Sequence, residues 1–159
     1  MSKVIKQSDK LSCVACVACM ATDTSLKEFR EFMGDVKPPY NDLAFYAYLL
    51  KHGFVVGIGF QNKFFESKFL SVTDEIQINF KLRDFPAYVV VQSHRFKGLQ
   101  HVVYWDGEKV LDSNPDIKGD GFPLEQYRVL TWFPIIKLSE AGELPKYGDL
   151  FKNWRVNEA

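Results

Sequence analysis

Residues 100–112 read Gln100-His101-Val102-Val103-Tyr104-Trp105-Asp106-Gly107-Glu108-Lys109-Val110-Leu111-Asp112. Asp-Gly between apolar β-formers favours a β-hairpin with a two-residue type I′ loop. With that loop, His101 lies directly opposite Asp112 on one face of the hairpin, with Cβ atoms about 5 Å apart. An aspartate in this position fixes the tautomer of a histidine and stabilises its cation. The stretch therefore predicts an oriented histidine base, whereas a three-residue loop would set Ser113 opposite the histidine.

A base held in this way needs a nucleophile, and all three cysteines of the chain lie near its N-terminus, at Cys13, Cys16 and Cys19. Ser12 precedes a run of Val, Ala, Cys and Met that predicts a buried helix from Cys13 to about Ala21. Cys13 falls in the first turn, where the partial positive charge of the helix terminus stabilises a thiolate. Cys13 is therefore the candidate nucleophile, and the other two are expected to be buried as small apolar residues.

Metal binding is the alternative for this cluster. The spacing Cys-x-x-Cys-x-x-Cys matches the first part of an iron–sulfur ligand run, but a fourth cysteine is missing. The Val-Ala spacers are typical of a packed helix, and no histidine pair follows at zinc-ligand spacing. We therefore expect neither a metal nor an organic cofactor.

Composition favours one compact domain, since the 159 residues are 47% apolar and 20 basic residues balance 20 acidic ones. This balance, without any basic run, argues against nucleic acid or an anionic membrane as a partner. Three cysteines within seven residues give no disulfide framework, which favours a reducing compartment. No apolar signal region or membrane-spanning stretch is found, so the expected location is cytoplasmic.

The order of the predicted elements indicates an α+β fold, with helices first and an antiparallel sheet later. Ser25 and Glu28 form a capping-box pattern, and Gly34 is typical of the helix end that follows. Pro134 in the last strand indicates an edge strand or a bulge. The predicted helices are at 13–21, 26–33 and 42–50, with a further short helix at 64–70. The predicted strands are at 54–60, 76–80, 86–92 and 127–136, beside the hairpin at 100–112. A surface tail is predicted from 137.

Gln7 lies six residues before Cys13. A glutamine just upstream of a nucleophilic cysteine can donate its side-chain N–H to a developing oxyanion, and the backbone N–H of Cys13 supplies a second donor. Of the other histidines, His94 lies in a polar, solvated stretch and His52 lies near a helix end. His101 is therefore the candidate base.

Together these residues resemble the papain-like cysteine peptidases, and within them the C39-like (bacteriocin-leader peptidase-like) group. The pattern of that group is a glutamine and, six residues later, a cysteine that opens a small-residue helix ending in methionine, here Gln7 to Met20. A later strand carries a histidine followed by apolar residues, then an aspartate close to Asn-Pro, here His101 and Asp112 with Asn114-Pro115.

The resemblance implies a papain-like fold in which an N-terminal helical part carries the nucleophile and an antiparallel sheet carries the histidine and aspartate. It implies that Cys13 is the nucleophile, Gln7 the oxyanion donor, His101 the base and Asp112 the residue that orients the base. The function implied is that of a stand-alone cysteine peptidase, which cleaves a peptide or isopeptide bond of a peptide or protein substrate through an acyl-enzyme.

Two alternatives to this function stay open. The same residues would serve an acyltransferase that passes the acyl group to an amine, as a transglutaminase does. The family usually has Asp-Cys-Gly where this chain has Ser12-Cys13-Val14, and a valine that crowds the thiol favours a catalytically inactive domain that binds a peptide or protein. The resemblance covers about residues 5–116 and leaves 117–159 as a final strand and C-terminal tail of the same domain.

Overall fold

The computed structural model describes residues 3–57, 59–61 and 82–138. The segments predicted at 64–70 and 76–80, and the tail beyond 138, lie outside these residues. No helix in the described ranges has the length and apolar character needed to span a membrane. The helices are α1 (Cys13–Thr22), α2 (Leu26–Met33) and α3 (Asp42–Lys51), and the strands are β1 (Phe54–Val56), β2 (Phe60–Gln61), β3 (Ala87–Gln92), β4 (Gln100–Trp105), β5 (Val110–Leu111) and β6 (Val129–Lys137).

The three predicted helices are confirmed, and side-chain caps fix the starts of two of them. Ser25 accepts a hydrogen bond from the backbone N–H of Glu28, whose carboxylate accepts from the backbone N–H of Ser25, so the predicted capping box opens α2. Asn41 accepts from the N–H of Ala44 at 3.0 Å and opens α3. α1 is buried from Val14 to Ala21, which agrees with its nearly uniform apolar sequence.

The strands form one antiparallel sheet in the order β1-β6-β3-β4-β5, and β2 also pairs with β6. Alternate side chains of β3 and β4 face opposite sides of the sheet. Tyr88, Val102 and Tyr104 pack in the core that contains α1 and α3. Val89, Val103 and Trp105 pack in a second core with Tyr127 and Trp132 on the other face. The sheet is therefore buried on both faces, as the continuous apolar run at 86–92 predicts.

Pro134 does not mark an edge strand, because β6 lies between β1 and β3. The N–H of Gly57 donates to the carbonyl of Pro134 at 2.7 Å, but proline has no N–H to return the bond. The pairing of β1 therefore ends at Val56, and the strand predicted at 54–60 is divided into β1 and β2. The pairing of β3 with β6 does contain a register shift, but the shift lies between Val90 and Val91 of β3 and not at Pro134.

The hairpin is present, but its predicted register is wrong. Trp105 pairs with Val110, so the loop contains four residues, 106–109, and His101 and Asp112 are not directly opposed. The side chain of Asp106 explains the longer loop, since its Oδ1 accepts hydrogen bonds from the N–H groups of Glu108 and Lys109, both at 2.9 Å. This side-chain closure replaces the tight type I′ turn.

Candidate functional site

His101 and Asp112 are in contact although they are not a cross-strand pair. The Nε2 atom of His101 lies 2.8 Å from Oδ1 of Asp112. Continuing the register of β4 and β5 past Leu111 sets His101 opposite Asn114, two residues beyond Asp112. A shift of two residues keeps a side chain on the same face, where diagonal neighbours are within reach. The predicted contact between His101 and Asp112 is therefore present although the loop has four residues and not two.

Cys13 begins α1, and it lines the same cavity as His101, where its thiol contributes to the pKa of the imidazole. Because Nε2 of His101 is bonded to Asp112, Nδ1 is the nitrogen available to the thiol. Burial of His101 disfavours its cation, but the hydrogen bonds and negative charges of Asp112 and Cys13 outweigh this effect and raise the pKa of His101 to about 9. At neutral pH the ring is therefore protonated on both nitrogens, and the N–H at Nε2 donates to Asp112.

Asp112 is buried, and hydrogen-bond donors occupy both of its carboxylate oxygens. Oδ1 accepts from His101 and from the backbone N–H of Asn114, and Oδ2 accepts from the hydroxyl of Tyr127 at 2.8 Å. Burial alone would raise the pKa of Asp112, but the hydrogen bond and charge of His101, together with these other donors, hold that pKa below its ordinary value. Asp112 therefore stays an anion able to orient the imidazole.

Tyr127 is a residue of this site that the sequence analysis missed. It follows a short 3-10 turn at Leu124–Gln126 and packs in the second core. Burial, and then the nearby charge of Asp112, raise the pKa of Tyr127, so its hydroxyl remains a donor. Spacing along the chain gives no sign of this role, because the contact depends on how the segment before β6 packs beneath the hairpin.

Gln7 lines the same cavity as Cys13, His101 and Asp112. Its backbone N–H donates to the carbonyl of Ser113 at 2.8 Å, and its side-chain oxygen accepts from the Ser113 hydroxyl at 3.2 Å. Its Nε2 donates to the carbonyl of Asp9 at 3.2 Å. Since an amide NH₂ carries two hydrogens, one donor remains for a ligand.

Ser12 occupies the N-cap position of α1, but its side chain does not cap the helix. The hydroxyl instead donates to Oδ2 of Asp9 at 2.6 Å, and Oδ1 of Asp9 accepts from the N–H of Leu11 at 2.7 Å. The Asp9 side chain thus fixes the turn that leads into Cys13. The first N–H groups of α1 have no partners within the helix, which leaves the backbone N–H of Cys13 directed outward from its terminus.

Lys6 connects the N-terminal segment to the segment that follows β5. Its ammonium donates to three backbone carbonyls, those of Asp112 at 2.9 Å, Asn114 at 3.3 Å and Ile117 at 2.8 Å. An ammonium has three donors, so all are used. This is a second contribution that the sequence analysis missed, and it joins the segment of Gln7 to the segment of Asp112.

The site residues line a cavity of about 430 Å³. His94, predicted to be solvated, is exposed but stacks on the ring of Tyr127 with 5.1 Å between ring centroids and also lines the cavity. His52 lies at the end of α3 against Tyr48 and is not a lining residue. Of the three histidines, His101 is the one that is bonded to a carboxylate and lines the cavity together with Cys13.

Cys16 and Cys19 are fully buried and free of disulfides, as predicted for small apolar residues. Burial raises the pKa of Cys16 to about 12 and that of Cys19 to about 11. Cys13 is half-buried and opens onto the cavity. In the described ranges no group of three or more His, Cys, Asp or Glu side chains is arranged to hold a metal ion.

Comparison with solved structures finds a similar fold in the peptidase domain of Streptococcus ComA, a bifunctional ABC transporter involved in a quorum-sensing pathway. The TM-score is 0.52 at 15% sequence identity, over 86% of this chain and 99% of that domain. No protein-family model and no curated protein sequence matches. The likeness confirms the predicted α+β, papain-like fold, and at this identity it shows the fold alone.

Proposed function

We propose that this protein is a cysteine hydrolase that cleaves a peptide or isopeptide bond through an acyl-enzyme on Cys13. The observation that carries the proposal is the 2.8 Å contact between His101 and the buried carboxylate of Asp112, in a cavity that the thiol of Cys13 also lines. A base between a nucleophile and an orienting carboxylate is the arrangement that nucleophilic catalysis requires. The likeness in fold to a peptidase domain supports the same reaction class.

In the first half of the reaction, the sulfur of Cys13 attacks the substrate carbonyl and forms a C–S bond. As the C–N bond breaks, His101 gives its proton to the departing amine and a thioester remains. A pKa of about 9 for His101 suits this role, because the resting imidazole is already protonated at neutral pH. In the second half, water attacks the thioester while His101 accepts its proton, and the Cys13 thiolate leaves with the carboxylic acid as product.

Two donors are positioned to hold the oxyanion that forms on the substrate carbonyl. The backbone N–H of Cys13 lies at the start of α1, and Gln7 lines the same cavity with one amide hydrogen uncommitted. Donors fixed before the reaction are worth a factor of about 10²–10³ each in related chemistry. In this proposal Gln7 supplies the second donor.

Val14 does not oppose the proposal. Its side chain is 7% exposed and packs in the core of α1 and α3, and it is not among the residues that line the cavity. The valine that stands where the family usually has glycine thus packs in the core and does not line the cavity onto which the thiol opens. This weakens the case for an inactive binding domain.

The experiment is alkylation of Cys13 by iodoacetamide between pH 5 and pH 9, followed by peptide mass spectrometry. We expect fast and selective labelling of Cys13 already at pH 6, because a thiolate reacts and a thiol does not. His101→Ala should slow this labelling by about tenfold or more, since the imidazolium that stabilises the thiolate is lost. His52→Ala, which removes a histidine outside the cavity, is the matched control.

Slow labelling of Cys13 that is insensitive to His101→Ala would contradict the proposal and leave a binding domain on a peptidase-like fold. Where labelling is fast, an added labelled amine distinguishes the two covalent reactions. Release of a free acid indicates hydrolysis, and a new amide on the amine indicates acyl transfer.

A further inference from the structure

Three exposed apolar side chains form one wall of the cavity beside Cys13. Seven large apolar side chains are exposed in the described part of the chain, and three of them, Leu11, Phe96 and Leu99, line this one cavity. Their exposed fractions are 50%, 39% and 58%. Apolar area that stays in water beside a pocket commonly marks a surface that a ligand covers. We call these three side chains the apolar wall.

The apolar wall adjoins the candidate site because of the order of the chain. Leu11 stands two residues before Cys13, and Leu99 stands two residues before His101. A group held against the wall therefore lies in the cavity that the thiol and the imidazole also line.

Hydrogen bonds hold both halves of the apolar wall in place before any ligand binds. In the loop between β3 and β4, the Ser93 hydroxyl accepts from the N–H of Phe96 at 3.1 Å, and the Ser93 N–H donates to the carbonyl of Leu99 at 2.8 Å. In the other half, Asp9 accepts from the N–H of Leu11 at 2.7 Å. A backbone fixed before binding loses less conformational entropy when a ligand binds, which favours affinity.

The charges around the apolar wall favour an acidic ligand. Lys10 and Arg95 line the cavity, and their cationic groups lie 6.0 Å and 5.4 Å from the centroid of the Phe96 ring. Arg95 is paired with Asp116 at 3.0 Å, whereas Lys10 has no ion pair within the described ranges. Asp112 is the one carboxylate among the described lining residues, and its oxygens are already occupied.

We propose that this cavity binds an extended peptide segment in which a bulky apolar side chain lies next to an acidic one. The apolar side chain packs on Phe96, Leu99 and Leu11, and the carboxylate faces Lys10. That this segment is a substrate rests on the proposed function, but binding of the segment does not require catalysis.

The test is binding of fluorescein-labelled peptides to the full-length Cys13→Ala protein, measured by fluorescence anisotropy. The first probe is a glycine–serine peptide with one central phenylalanine flanked by two aspartates. The second has serine in place of the phenylalanine, and the third has lysines in place of the aspartates. We expect the first probe to bind with a Kd lower by about tenfold or more than either of the others.

Variants of the Cys13→Ala protein locate the binding. Phe96→Ser and Leu99→Ser should each weaken binding of the first probe by about fivefold to tenfold, because each removes part of the apolar wall. Leu43→Ser removes an apolar side chain that is 72% exposed on α3 and does not line the cavity, so it should leave the Kd unchanged. Lys10→Glu should reverse the preference between the aspartate and lysine probes.

Equal binding of the three probes, no binding of the first, or an equal effect of Leu43→Ser and Phe96→Ser would overturn the inference. These outcomes are separate from failure of the proposed function, which is decided by the alkylation of Cys13 in the unmodified protein. A reactive Cys13 with no preference among the probes would leave the hydrolase proposal intact and remove this one.

Discussion

The hydroxyl of Tyr127 donates to Oδ2 of Asp112 at 2.8 Å, and so occupies the carboxylate oxygen that His101 does not. Each oxygen of the buried carboxylate is thus held by a different element, Oδ1 by β4 and Oδ2 by the segment before β6. A carboxylate held at both oxygens cannot rotate away from the imidazole. This relationship gives Tyr127 a positioning role that can be separated from packing.

Tyr127→Phe should make the reactivity of Cys13 more sensitive to acid. Loss of the hydroxyl removes a hydrogen bond to the ionised form of Asp112, so the pKa of Asp112 rises toward its ordinary value. We expect the acid limb of the alkylation rate against pH to move to higher pH, because a carboxylate held less firmly stabilises the imidazolium beside Cys13 less well. Tyr48→Phe is the matched control, since it deletes the hydroxyl of a buried tyrosine bonded to Thr24 at 2.7 Å. Identical pH profiles in the two variants would mean that Tyr127 only packs.

Asp112→Asn should slow alkylation of Cys13 at pH 6 by about tenfold or more while the protein stays folded. The asparagine amide would donate a hydrogen bond to Nε2 of His101, so the neutral ring would carry its proton on Nδ1. A protonated Nδ1 cannot accept a proton from the thiol of Cys13. The change conserves shape, so circular dichroism should be unchanged. A rate equal to that of the unmodified protein would show that the carboxylate does not orient His101.

The stability of the protein should fall as the pH rises through about 9, the raised pKa of His101. There the folded protein releases from His101 a proton that the unfolded chain has already lost at lower pH, so the stabilisation that this proton gives is lost. Urea denaturation at several pH values measures this loss.

His101→Gln should flatten this dependence of stability on pH, because the titrating group is gone. His52→Gln, which changes a histidine at the end of α3, should keep the slope of the unmodified protein. If the slope survives His101→Gln, another group is responsible for it.

Lys6→Met should lower the free energy of unfolding by about 2–3 kcal/mol, because three backbone carbonyls lose a charged donor. Lys3→Met, at an exposed position on the same segment, should change it by less than about 0.5 kcal/mol. Thermal and urea unfolding measure both. An equal effect of the two substitutions would show that the contacts of Lys6 with Asp112, Asn114 and Ile117 contribute no stability.

Much of the fold could be predicted because its signals are local. Ser25 and Glu28 satisfy each other within one turn, and the apolar runs at 13–21 and 86–92 identify a buried helix and a buried strand without reference to anything distant. The division of the strand at 54–60 could not be predicted in this way. It depends on Pro134, which lies far along the chain and meets Gly57 only after the sheet has formed.

The contact between His101 and Asp112 was predicted correctly because it requires only that both side chains lie on the same face of the hairpin, and not that the exact register is known. His101 and Asp112 meet because the hairpin moved by two residues and kept both side chains on one face; a shift of one residue would have separated them. The catalytic roles assigned to Cys13, His101, Asp112 and Gln7 stay predictions. Lys6 and Tyr127 could not be inferred, since each reaches Asp112 from a part of the chain whose local pattern carries no sign of the contact.

The three hydrogen bonds of Lys6 also bear on how the protein matures during synthesis. Lys6 and its nearest carbonyl partner in sequence, that of Asp112, are 106 residues apart. At about 5–20 residues per second, a ribosome needs several seconds to add the later residue after the earlier one. During that interval the nascent chain carries Cys13 without His101 and Asp112 beside it, so the group of residues proposed for catalysis is assembled only after Asp112 has been added.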